Sequence, residues 1–103
     1  MRIIKPSTLR RFWLRHRNAE KELRTWIRIV GAARWHSPVD VKRHFGARVD
    51  FIKVRSGNTV AVFDIANNNY RMIAAIHYDH PRVFVLRIFD HEEYDRNDWK
   101  DEL

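Results

Sequence analysis

The feature that most limits the fold of this chain is a change of texture near residue 49. Beyond it lie four β-type runs separated by turn signals. Asp50–Arg55 (DFIKVR) alternates, and Ser56-Gly57-Asn58 marks a turn. Thr59–Ile65 (TVAVFDI) is rich in β-formers, and Ala66-Asn67-Asn68 marks a second turn. Asn69–Tyr78 and Arg82–Phe89 follow, joined by Asp79-His80-Pro81. Three hairpin-like connections in a row predict an antiparallel meander.

Before residue 49 the apolar spacing is helical. Arg2–Lys5 (RIIK) reads as a short edge strand ended by Pro6, with Ser7 placed to cap a helix carrying Leu9, Phe12, Trp13 and His16. Asn18 is placed to cap a second helix, Ala19–Val30, with Gly31 at its end. Its apolar stripe is Ala19, Leu23, Trp26, Ile27 and Val30, while Lys21, Arg24 and Arg28 project from the other side. Ser37-Pro38-Val39-Asp40 starts a short third helix that ends near Phe45-Gly46. After the β-runs, Asp90–Asp101 reads as one short helix, with Asp90 and Glu93 at capping-box spacing. Helices first and a meander second predict an α+β fold, a twisted, mainly antiparallel sheet with the helices packed on one face. The 103 residues fit a single domain, 1–103. A chain of this size buries only ~65% of its unfolded surface, so a stabilising partner would matter.

The charge is unevenly spread. Residues 1–89 hold 18 basic and 6 acidic side chains, a balance of +12, whereas residues 90–103 hold 2 and 7, a balance of −5. A basic body points to a polyanionic partner, nucleic acid before anionic membrane. The chain has no cysteine, which excludes disulfides and thiolate metal sites. There is neither a long apolar run nor a signal-peptide pattern, so the cytoplasm of a microbial cell is the expected compartment.

The catalytic motifs of several large classes are missing. The six histidines, His16, His36, His44, His77, His80 and His91, make no HxxxH or HExxH pair on a predicted helix, so no metal site is assigned. No glycine-rich phosphate loop and no Gly-x-Ser-x-Gly elbow occurs, which leaves no cofactor to assign. A DNA-binding regulator would need a recognition helix that is not legible here.

Two arginines, Arg71 and Arg87, lie within otherwise apolar strands. Arginine there is costly unless paired or facing a groove. Either it forms an internal ion pair, with Asp64 or Asp90, or it clamps a phosphate. A three-residue loop, Asp79–Pro81, would pair Tyr78 with Arg82 and place both arginines on one sheet face. A two- or four-residue loop would separate them unless a bulge intervened. His91 and Tyr94 follow, one turn apart at the start of the last helix. Tyr94 either packs that helix on the sheet or presents its ring to a ligand.

Taken in order, these pieces resemble HigB-family toxins of the RelE-like superfamily over essentially the whole length. The resemblance rests on Met1–Lys5, Leu9–Trp13, Ala19–Trp26, Val62–Ile76 (VFDIANNNYRMIAAI), Val83–Arg87, His91–Asp95 (HEEYD) and Trp99-Lys100. Ala66-Asn67 stands where such proteins often have a glycine pair, and Asp90 stands where threonine is usual. The resemblance implies a RelE-like fold and an endoribonuclease acting on messenger RNA, usually at the ribosome. It also implies a HigA-like helix-turn-helix antitoxin as partner. Carried onto this chain, the family pattern falls on Arg71, Arg87, His91 and Tyr94. The arginines would hold the scissile phosphate, His91 would transfer a proton, and Tyr94 would stack on a base or assist that transfer. Lys21, Arg24, Arg28, Lys53 and Arg55 would add salt-sensitive attraction to RNA, or receive an acidic antitoxin segment. A non-catalytic RNA- or protein-binding module on the same fold is the alternative.

Overall fold

A computed structural model describes all 103 residues. Strand β1 (Arg2–Ile4) is followed by helix α1 (Ser7–Arg15), a single 3₁₀ turn and helix α2 (Glu20–Ala32). Helix α3 (Pro38–Phe45) leads into β2 (Val49–Lys53), β3 (Thr59–Ile65), β4 (Tyr70–His77) and β5 (Arg82–Asp90). Two five-residue helices, α4 (His91–Asp95) and α5 (Asp98–Glu102), end the chain. The sheet has the order β1-β5-β4-β3-β2; β1 runs parallel to β5 and every other pair is antiparallel. The α+β class, the meander and the short edge strand are therefore as the sequence predicts.

The two faces of the sheet are covered unequally. Helices α1, α2 and α3 pack on one face through Leu9, Phe12, Leu23, Trp26, Val30 and Val41, against Phe63, Met72 and Val83 of the strands. Trp26 and Phe45 both meet the edge of Phe63, at 5.5 and 5.0 Å between ring centres. Such contacts add about 0.5–1.5 kcal/mol each beyond burial. The other face carries a five-residue cluster, Val54, Val60, Val62, Ile73 and Trp99. Alternation sends every second strand residue to this side, and α4 and α5 at the chain end lie across it through Tyr94, Trp99 and Leu103.

Several local expectations are corrected. The β4–β5 connection has four residues, Tyr78–Pro81, because His77 pairs with Arg82. A bulge then restores parity: Ala74 pairs with Val85 but Ile73 pairs with Arg87, so Leu86 is the extra residue. Arg71 and Arg87 share a face after all, through the bulge rather than a three-residue loop. The last helix is broken in two because Asn97 adopts the left-handed conformation at φ 64°. Helix α2 runs through Gly31 to Ala32. Neither Ser7 nor Asn18 caps a helix with its side chain. Asn18 instead accepts the Tyr70 hydroxyl proton at 2.7 Å, tying α2's approach to β4.

Candidate functional site

The site lies where β5 passes into α4, on the thinly covered face. Asp90 caps α4: its carboxylate accepts the Glu93 N–H at 2.9 Å, which is half of the expected capping box. That cap turns the strand end into a helix whose first residue is His91. The His91 backbone N–H donates to the Asn69 carbonyl at 3.2 Å, so the helix start is pinned to the β3–β4 turn.

The same turn holds Arg71. Its side chain is only 14% exposed, and its Nε lies 3.0 Å from Asp64 Oδ1 as an ion pair across the β3–β4 pair. Its Nη1 donates to the carbonyls of Asn68 and Tyr70, at 3.0 and 3.2 Å. The internal ion pair is thus the state of Arg71, with Asp64 rather than Asp90 as its partner. Burial raises the Asp64 carboxyl above its ordinary range; Arg71 opposes that shift, while Asp50 and Glu22 add to it. Desolvation outweighs the ion pair here.

Tyr94 sits over this pair, with the Arg71 guanidinium 5.4 Å from its ring centre. Its ring stacks on Trp99 at 5.4 Å and meets Phe89 edge-on at 6.3 Å. Burial raises its phenol above the ordinary range, with Arg71 opposing and Asp50, Asp64 and Asp95 reinforcing. At neutral pH the phenol carries its proton, as an unshifted tyrosine also would. Both sequence readings of Tyr94 survive, because it packs α4 on the sheet and leaves part of its surface open.

Arg87 and His91 are the accessible members. Arg87 is 40% exposed, donates to the Leu86 carbonyl at 2.8 Å and lies 3.9 Å from Glu102. It opens into a groove of about 190 Å³ lined also by Phe89, Trp99 and Arg96 and by three carboxylates, Glu93, Asp98 and Glu102, which a bound phosphate would have to displace from the two arginines. His91 is 54% exposed, with Nδ1 2.9 Å from Asp95 Oδ2. The structure brings Arg71 and Tyr94 into contact and leaves Arg87 and His91 on separate partners. Arg96 was missed in the sequence, although it and Lys100 are the only cations in the acidic tail. Nowhere do three His, Asp or Glu side chains converge to hold a metal ion.

The remaining basic residues divide by face. Lys21, Arg24 and Arg28 are exposed on α2, across the sheet from Arg87, and Arg24 is engaged by Glu20 at 2.8 Å and lies over Trp13. Lys53 is exposed at the end of β2 and, by alternation, also belongs to the helix side. Arg55 alone adjoins the site face, its N–H donating to the Lys100 carbonyl at 3.1 Å.

Glu22 on α2 went unnoticed in the sequence. Its carboxylate accepts the Ala66 N–H and lies 3.5 Å from Arg48. It braces Ala66, Asn67 and Asn68, three consecutive left-handed residues at φ 53°, 54° and 71°. No glycine occupies this turn, so the bond from α2 offsets backbone strain.

An open, mostly antiparallel five-stranded sheet with its major helices on one face is a RelE-like architecture. Residues 19–97 match the family described as HigB_toxin, the RelE-like toxic component of a toxin-antitoxin system. A relative, the mRNA interferase HigB of Escherichia coli O6:H1 strain CFT073, is 29% identical over 96 residues, covering 93% of this chain and 90% of that protein. The chain belongs to the HigB toxin family.

Proposed function

We propose that this chain is a metal-independent endoribonuclease that cleaves messenger RNA on the ribosome and so inhibits translation in the bacterial cytoplasm. A HigA-like helix-turn-helix antitoxin would silence it. The observation that carries this reading is the His91–Asp95 contact. With Nδ1 turned to the carboxylate, the imidazole would present Nε2 to accept a proton. RNA supplies the nucleophile. Nε2 of His91 takes the 2′-hydroxyl proton, O2′ attacks phosphorus, and the bond to O5′ breaks. The products are a 2′,3′-cyclic phosphate and a 5′-hydroxyl end. Arg87, with Arg96 in the same groove, holds the nonbridging oxygens and opposes the charge that develops. The Tyr94 phenol, protonated at neutral pH, gives its proton to O5′. Arg71 orients Tyr94 and reinforces the clamp where phosphate competes with Asp64 for it. The likeness to an mRNA interferase over most of both chains supports the substrate class.

The decisive measurement is cleavage of end-labelled RNA, with and without ribosomes, in the presence of a chelator. Cyclic-phosphate ends that persist in chelator are expected. Ends bearing a 3′-hydroxyl that require added magnesium would overturn the scheme. The engagement of Arg71 by Asp64 favours the binding module as the second reading. RNA retention by a protein that never cuts would select it.

A further inference from the structure

A second cavity, of about 560 Å³, opens on the same face as Arg87, at the β4–β5 end of the sheet. Its volume falls within the range of sites for small organic ligands. Val54, Val60, Ala75 and Leu86 give it an apolar wall, and the exposed His77 and His80 contribute to a polar side of nearly equal extent. The His77 ring is set edge-on against Phe84, 5.1 Å between centres. Asn58 and Asp79 add an amide and a carboxylate.

The chemistry of this lining selects its ligand. No lysine or arginine lines it, and Asp79 does. A phosphate would therefore meet a negative charge with no cation to offset it. A neutral, planar, heteroaromatic ring fits instead. Its faces match the apolar wall and the imidazoles, and its edge matches the amide and carboxylate. The bulge gives the cavity its place. Leu86 lines the cavity, Arg87 is its neighbour in the chain, and the extra residue turns both to this face.

We propose that this cavity is a nucleobase subsite, holding the base next to the phosphate that Arg87 binds, with His77 and Asn58 as its specificity-determining residues. This rests on the reading of the Arg87 groove as an RNA site. The phosphate is held by arginines on one side of the bulge, and the base by an apolar wall, imidazoles, an amide and a carboxylate on the other.

The test has two arms that fail separately. In the first, the four nucleoside 5′-monophosphates and ribose 5-phosphate are titrated into the purified chain, with the His77 and His80 ring protons followed by NMR. The expected result is saturable shifts at these rings with nucleotides, strongest for one base, and none with ribose 5-phosphate. Equal responses to all five compounds, or no response at these rings, would overturn the proposal whether or not the protein cleaves RNA. In the second, His77→Ala and Asn58→Ala are compared with wild type on RNAs varied at one position beside the cut. Loss of base preference with KM raised about tenfold, kcat nearly unchanged and an unaltered melting temperature is expected, the scale of one lost base-stacking contact. An unchanged preference in both variants would overturn it. Absence of any cleavage would bear on the ribonuclease reading and leave the first arm to decide the subsite.

Discussion

The two faces of this sheet solve different problems. The helix-covered face buries twenty residues in one cluster, all hydrophobic. The other buries five, and around them stand half-exposed aromatic rings and charges held in pairs. The first face has the close packing that makes a small domain stable. The second has what such packing forbids: solvent-accessible polar groups over an apolar floor, with unfilled volume beside them. On the proposed function, stability and chemistry are separated by the thickness of a single sheet.

Substitutions on each side can break that separation. His91→Ala should carry the largest effect on the thin face, a cleavage rate lower by about 10²–10⁴ with almost no change in melting temperature. A comparable loss of stability in that variant would mean the site also supports the fold. Leu23→Ala, fully buried among the helices, should cost about 2–5 kcal/mol in urea unfolding. Activity per folded molecule should remain, and its disappearance would show that the two faces are coupled.

Asp64→Asn sharpens the comparison at the ion pair. The folded carboxyl titrates above its ordinary 3.8. The folded state therefore holds the proton more tightly than the unfolded one. Its stabilising contribution is full below that value and is lost as the pH rises through the folded pKa. Relative to Asp64→Asn, wild type should lose stability over that rise, and its affinity for RNA should be lower because Arg71 stays engaged. A stability difference flat between acid and neutral pH would contradict the burial argument. The smallest effect is expected at the turn braced from α2. Ala66→Gly should stabilise by up to about 1 kcal/mol in thermal melts, because Ala66 sits at φ 53°. Destabilisation there would show that the Glu22 contact needs the alanine.

Much of the first face was legible in the sequence. Leu23, Trp26 and Val30 announce a buried stripe by spacing alone, and the strands from Thr59 to Phe89 are set off by Gly, Asn and Pro. The site was legible only as residue types. Arg71 in an apolar run signals a partner or a ligand, but whether that partner is Asp64 or Asp90 depends on register. Glu22 reaches the Ala66 turn across 44 positions of sequence, and no local pattern carries that information. The break at Asn97 was hidden because asparagine is as ordinary within a short polar helix as at its end.

The sequence by itself determined the order of elements, the α+β class and which residues are apolar enough to form the larger core. These follow from periodicity, which is a property of neighbours along the chain. Only the tertiary structure decided the four-residue loop, the bulge at Leu86, the Asp64–Arg71 pair and the cavity beside Arg87. Each depends on how distant strands are aligned. A shift of one residue reverses which side chains face each other, so these features are fixed only when the whole sheet is assembled.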